Sequence, residues 1–205
     1  MPETSVEVRK GRKFDQVIEG ASQIFMTEGF ERASVDEIAR QAGVSKATLY
    51  SYFPDKRLLF VEVMKRECER LAVQADDIAD KTRPPEQVLP LVGKILVDFL
   101  LSDIGKQSFR MSIAESANFE ELGKRFFEAG PGLIERELIA YLEAAEDRGE
   151  VRIEDKTLAA HQFAELCKAW IFPRAMLLGE RDISGSERRH VVDEAVKMFM
   201  VRYAL

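Results

Sequence analysis

The sequence predicts an all-α protein, with a small helical unit at the N-terminus and a larger helical unit behind it. Three observations carry that prediction. Apolar residues recur at helical spacing from Phe14 almost to the C-terminus. Glycines, prolines and short polar side chains fall where helices would start and stop. No stretch shows sustained strand alternation, apart from the short Glu150 to Ile153. Periodicity and its interruptions give roughly nine or ten helices.

Residues 2–8 read as disordered. Arg9, Lys10, Arg12 and Lys13 then form a compact basic arm interrupted only by Gly11. A first helix places Phe14, Val17, Ile18, Ala21, Ile24 and Phe25 on one face and ends at Gly29, since glycine readily takes the left-handed conformation beyond a helix C-terminus. Ser34 starts a second helix. Ser34 and Glu37 have capping-box spacing, in which the hydroxyl accepts from the amide three residues on and the carboxylate reaches back. Val35, Ile38, Ala39 and Ala42 face inward. Gly43 makes a tight turn, Val44 plugs it and Ser45 caps a third helix. Leu49 and Phe53 join Val44 inside, which leaves Lys46, Ala47, Thr48, Tyr50 and Ser51 outside. Pro54 stops that helix, because it disfavours helical geometry before it and lacks an amide proton.

Asp55 caps a fourth helix, Lys56 to about Lys81, with an apolar stripe of Leu59, Phe60, Val63, Met64 and Leu71. Thr82-Arg83-Pro84-Pro85 breaks the chain, and proline suits the first turn of the next helix, which covers about Pro85 to Leu101. Further helices cover about Ile104 to Ser116 and Phe119 to Glu128. Gly130-Pro131-Gly132 is a breaker before a helix that reaches Arg148 and ends at Gly149. Asp155 opens a long helix to Leu178, and Ser186 opens the last, to about Tyr203. Pro173 inside the long helix leaves the Ala169 carbonyl without its helical partner, so a kink is expected beside Trp170.

The 205 residues are 46% hydrophobic and 32% charged, enough for a sizeable core in one or two domains. The net charge is −6 and the isoelectric point about 5.2. Residues 1–60 hold nine basic and nine acidic side chains, so all the net negative charge falls on the rest. An acidic total is compatible with nucleic acid, because the field at the docking face decides. Two distant cysteines, Cys68 and Cys167, make no disulfide framework and fit a reducing cytosol. The N-terminal MPETSVEVRKGRKF lacks the apolar core of a signal peptide. The most apolar run, Val88 to Leu101, is broken by Lys94 and Asp98, so no membrane span is expected. A cytoplasmic protein follows.

The stretch from Ser34 to Phe53 carries the clearest chemistry. Two short helices across a tight turn, the second polar outward, suit a DNA major groove. Ser45 caps that second helix. Thr48 and Ser51 can bond phosphate or base edges, Lys46 a guanine or phosphate, and the Ala47 methyl a thymine methyl. Tyr50 and Tyr52 offer a hydroxyl to phosphate and a ring to sugar or thymine; packing against the first helix is the alternative. Lys56 and Ser34 sit at helix N-termini, whose free amides favour anions. The arm of Arg9, Lys10, Arg12 and Lys13 could track phosphates or enter a minor groove, or be a solvated tail.

The stretch IFMTEGFERASVDEIARQAGVSKATLYSYFPDKRLLF resembles, nearly continuously, the N-terminal domain of TetR-family transcriptional regulators. The C-terminal stretches RMSIAESANFEELGKRFFEAGP, YLEAAEDRGEVRIEDKTLAAHQF and LLG resemble the AefR-like subgroup, which often has proline where this chain has Glu120. The resemblance implies a DNA-binding domain over residues 9–70 and a ligand-binding and dimerisation domain over 71–205. It implies a homodimer whose paired last long helices form a four-helix interface, a palindromic double-stranded operator, and a small-molecule effector held in the helical core. Under it Thr48, Tyr50, Tyr52 and Lys56 match phosphate and groove contacts, while Lys46 and Ala47 occupy variable, sequence-setting positions. A repressor released by a small apolar or amphipathic ligand is the function it implies.

For that ligand the candidates are Phe99, Phe109, Ile113, Phe126 and Trp170, with Glu115 as the polar contact. Ordinary core packing, or a salt bridge for Glu115, is the alternative. For the dimer, Val191, Ala195, Met198 and Phe199 form a stripe that suits Phe163, Leu166 and Leu177, with internal packing the alternative. No motif calls for a cofactor or a metal: His161 and Glu165, four apart, supply only two ligands. A redox- or metal-responsive regulator on the same scaffold would need an exposed, low-pKa Cys68 or Cys167, or more ligands around His161. An enzyme using Glu115 and His161 finds no nucleophile motif or phosphate-cradling loop in support.

Overall fold

Apolar residues at helical spacing fold into eleven α-helices among the described residues, 11–78, 82–116, 120–179 and 182–205 of a computed structural model. The disordered reading of residues 2–8, the arm residues Arg9 and Lys10, and the end of the fourth helix at Lys81 lie outside the described residues. In chain order the helices are α1 (Arg12–Glu28), α2 (Val35–Gln41), α3 (Lys46–Tyr52), α4 (Lys56–Ile78), α5 (Pro85–Leu101), α6 (Asp103–Ser116), α7 (Glu120–Ala129), α8 (Pro131–Asp147), α9 (Lys156–Lys168), α10 (Ile171–Leu177) and α11 (Gly185–Tyr203).

α1 to α4 close around Phe14, Val17, Ile18, Phe25, Ile38, Leu49, Leu59 and Phe60, all buried. Gly20 lets α1 and α2 touch, since a Cβ there would stand 2.8 Å from the Ala42 backbone nitrogen. Gly43 makes the α2–α3 turn at φ +64, a region that strains any residue with a side chain. A second core gathers α5, α8, α9, α10 and α11 around Leu89, Leu142, Phe163, Cys167, Ile171 and Phe199. α6 does not stay with that second core. Its Ile104 and Met111 are buried against the N-terminal helices, so the smaller unit is completed by a helix from the far side of residue 70.

Two expectations about the C-terminal helices need correction. The long helix from Asp155 to Leu178 is two helices, not one kinked rod. Trp170 sits between them at φ 58, with the Ile171 amide bonded to the Ala169 carbonyl at 2.7 Å, the strained three-residue turn. Pro173 explains the break: placed in the first turn of α10, it owes no amide bond, and the Ala169 carbonyl turns to Ile171. Ser184, not Ser186, caps α11, its hydroxyl accepting from the Glu187 amide at 3.1 Å. The segment at Glu150 to Ile153 pairs through one antiparallel bridge, Val151 with Ala204, which ties the C-terminus back to the end of α8.

Candidate nucleic-acid interface and core cavity

Ser45 begins α3 with its hydroxyl accepting from the Thr48 amide at 3.0 Å and lying 2.8 Å from the Thr48 hydroxyl. The Ser51 hydroxyl donates back to the Thr48 carbonyl at 2.7 Å. Lys46, Ala47, Tyr50 and Ser51 are exposed. Lys46 pairs across the turn with Asp36 at 2.9 Å, and that hydrogen-bonded carboxylate holds its ammonium above the ordinary value. The Ser34 hydroxyl accepts from the Glu37 amide at 3.1 Å and donates to the Glu37 carboxylate at 2.7 Å. The carboxylate therefore meets the cap's hydroxyl rather than its amide. Tyr50 is 43% exposed. Tyr52 is half-buried, its ring edge-on to Phe14 of α1 at 5.7 Å, so packing and docking divide between the two tyrosines. Arg12 and Lys13 of the arm are exposed at the start of α1.

Lys56 departs from expectation. Its ammonium turns into the α1–α2 connection, donating to the carbonyls of Phe30 at 2.8 Å, Ala33 at 3.1 Å and Glu31 at 3.5 Å, and lies 4.5 Å from the Phe30 ring centroid. A phosphate would have to draw it out of that nest of carbonyls. The same connection is held from the other side by α6, where the Gln107 side-chain oxygen accepts from the Phe30 amide at 3.0 Å. Arg66 of α4 pairs with Asp15 of α1 and stacks on Phe14.

Beside the second core, walled by α4, α5, α6 and the later helices, lies a cavity of about 240 Å³. α4 and α5 supply Met64, Leu96 and Phe99; α6 supplies Gly105, Ser108 and Phe109; the later helices supply Leu138, Phe163 and Phe172. Phe109 and Phe172 meet edge to face at 4.9 Å. Glu135, His161, Glu165 and Lys168 also line it, paired as His161 to Glu135 at 3.1 Å and Lys168 to Glu165. Of the expected ligand residues, Phe99 and Phe109 line this cavity. Ile113 is 62% and Trp170 69% exposed, and neither lines it; the γ-turn throws Trp170 outward and Phe172 takes its place. Glu115 and Phe126 belong to α6 and α7, but their side chains lie outside the described residues. Sequence reading missed Ser108, a small polar residue that its helical context alone does not mark.

The expected dimer stripe also divides. Phe163, Ala195 and Phe199 are buried inside the single chain, in the α5–α9–α11 core, which is the internal packing named as the alternative. Leu166 and Val191 are half-buried against that core. Leu177 and Met198 are exposed, as are Leu158 of α9 and Val201 of α11. The two cysteines are buried, and burial pushes both thiols up to about 12. Their reactive thiolate is thereby suppressed, which removes the support for a redox switch. His161 finds Glu135 of α8 and not Glu165 as its partner, and among the described residues no three metal-binding side chains converge. No described helix is long and apolar enough to cross a membrane.

Comparison with known proteins fits this geometry. Residues 17–63 match the model of bacterial regulatory proteins of the tetR family, and residues 87–205 that of the AefR-like transcriptional repressor C-terminal domain. The transcriptional activator FasR of Mycolicibacterium smegmatis is 32% identical over 96 residues, 47% of this chain and 43% of that protein. The chain spans less than half the length of the first curated relatives it matches. A TetR-family regulator from Mesorhizobium loti superposes with a TM-score of 0.84 over 97% of this chain and 100% of its own, at 26% identity. The flavonoid-responsive regulator FrrA does so with a TM-score of 0.71 over 95% and 98%, at 32% identity.

Proposed function

The chain belongs to the TetR family of bacterial regulatory proteins, and from that premise we propose that it is a homodimeric repressor released from a palindromic operator by a small apolar or amphipathic ligand. It is a helix-turn-helix transcriptional regulator; the dimer, the operator and the release are the proposal. The observation that carries it is the outward face of α3, where Lys46, Ala47, Thr48, Tyr50 and Ser51 stand over a helix pinned by Leu49 and Phe53. Small hydroxyls and a lysine on a rigid short helix suit base edges and phosphates. Ser34, Ser45 and Tyr52, with the arm residues Arg9, Lys10, Arg12 and Lys13, would position it. Exposed Leu158, Leu177, Met198 and Val201 are apolar side chains that pairing of two copies would cover. Two-fold pairing would set the recognition helices roughly 34–36 Å apart, one turn of DNA.

A cavity walled by α4, α5 and α6, with α6 bonded to the α1–α2 connection, supports release by ligand. A ligand that prefers one arrangement of α6 biases the spacing of the reading helices. The flavonoid response named for FrrA, similar along nearly the whole chain, supports an aromatic or amphipathic effector.

The test begins with a site selected from random DNA and a gel-shift titration. Tyr50→Ala is expected to weaken binding about ten- to a hundredfold, with the dimer intact by sizing. Affinity like that of the unaltered protein would overturn the assignment of α3 as the reading helix.

A further inference from the structure

Serines inside helices ordinarily return their hydroxyl proton to a carbonyl one turn back. Ser112 of α6 does so, donating to Phe109 at 2.8 Å, and Ser102 just before α6 donates to the Phe99 carbonyl at 2.6 Å. Ser108 lies between them and does not. It is 1% exposed, its hydroxyl has no hydrogen-bond partner among the described residues, and it lines the cavity beside the second core. A buried hydroxyl without a partner is unfavourable in the empty protein, and becomes favourable only when something supplies the bond.

The chemistry around it limits what that something is. The wall beside Ser108 is aromatic and aliphatic, from Phe99, Phe109, Leu138 and Phe172. The charged lining residues are each already engaged with another, His161 with Glu135 and Lys168 with Glu165. A charge brought against Ser108 would meet that apolar wall and lose its hydration, a cost that favours neutral ligands. A hydroxyl both donates and accepts, so it can serve either a hydroxyl or a carbonyl. The volume, about 240 Å³, exceeds the roughly 150 Å³ of an engineered apolar cavity that binds benzene, which suits one or two rings.

We infer that Ser108 is the polar anchor of the effector site, and that it selects neutral, one- or two-ring ligands carrying a hydroxyl or carbonyl oxygen. This rests on the cavity being the effector site, and the experiment separates the two. Calorimetric titration compares 2-naphthol with 2-methylnaphthalene, which has nearly the same shape and no oxygen. The unaltered protein is expected to prefer 2-naphthol by about five- to tenfold, the worth of one neutral hydrogen bond. Ser108→Ala is expected to bind both equally, with 2-methylnaphthalene held as tightly as before or tighter. Ligand-free Ser108→Ala is expected to melt at a higher temperature, because the unpaired hydroxyl is gone. If neither probe binds the unaltered protein, the cavity is not the effector site and the inference falls with it. If both bind but Ser108→Ala keeps the preference, the cavity stands and Ser108 is not the anchor. A lowered melting temperature for the ligand-free variant would mean that the hydroxyl is already bonded within the protein, and would overturn the inference.

Discussion

The α3 face and the core cavity both carry hydroxyl groups that another molecule could bind, and the fold prepares them in opposite ways. On the α3 side Ser34, Ser45, Thr48 and Ser51 are each engaged with a neighbouring group of the chain, and Lys46 and Lys56 already have partners. In the cavity Ser108 has none among the described residues. The difference follows from solvent. A surface hydroxyl exchanges partners with water at little cost, so its internal bonds set geometry without blocking a ligand. A buried one cannot, and leaving it unpaired costs about 1–3 kcal/mol. The outer face is thus built complete and the inner one incomplete. Gln107 and Ser108 are consecutive, so one turn of α6 holds the α1–α2 connection with one side chain and lines the cavity with the next.

The largest effect that would break this contrast is expected at Lys56. If its ammonium sets geometry from inside, Lys56→Met loses three carbonyl bonds and should lower stability by about 2 kcal/mol, measured by urea unfolding. Operator affinity should fall with it, by about tenfold, because the α1–α2 connection positions α2 and α3. A variant of unchanged stability that still loses affinity would instead make Lys56 a phosphate contact in the complex. Gln107→Leu acts at the joint and should be gentler. It removes the acceptor for the Phe30 amide, a bond worth about 1 kcal/mol. Operator affinity should stay within about threefold, whereas the loss of affinity caused by 2-naphthol should shrink, since coupling between sites is the quantity removed. Unchanged coupling in a gel-shift titration with and without the probe would mean that α6 communicates by packing alone, through Ile104 and Met111.

How much of this was legible in the sequence differs between the two regions for the same physical reason. The N-terminal helices announce themselves locally: Ser34 and Ser45 cap, Gly43 turns, Pro54 stops, and the inward residues follow one face. Those are short-range signals, and the structure keeps nearly all of them. The cavity is assembled from residues far apart in the chain. Phe99 and Phe109 could be guessed from bulk, but Ser108 is distinguished only by what fails to reach it. Pro173 gave the place of the helix break correctly and its size wrongly, because a missing amide predicts one lost bond and not the strained γ-turn that replaces the helical path. Phe163, Ala195 and Phe199 share a helical face with residues that could pair with a partner, and only the packing of α5 reveals that they are already covered.

A smaller effect sharpens the contrast through charge. Asp55 caps α4, its carboxylate accepting from the Arg57 amide at 2.8 Å and from the Arg57 guanidinium at 2.9 Å. Those guanidinium bonds, assisted by the charge, hold the Asp55 carboxyl below its ordinary value of 3.8 against the opposing effect of burial. A carboxylate lowered on folding adds stability that is fully present above the unfolded value and is lost as pH falls through the folded one. The group is partly exposed, so solvent screening limits the gain to about 0.5 kcal/mol. Asp55→Asn keeps the cap's oxygen and removes the charge. It should therefore be less stable than the unaltered protein by that amount at about pH 5.5, with the gap closing towards about pH 3. Carboxylates common to both proteins cancel in the difference. Ser108, by contrast, carries no charge in this range. A gap that persists at the acid end would mean that Asp55 works by geometry alone. The docking side would then be as indifferent to charge as the cavity beside Ser108.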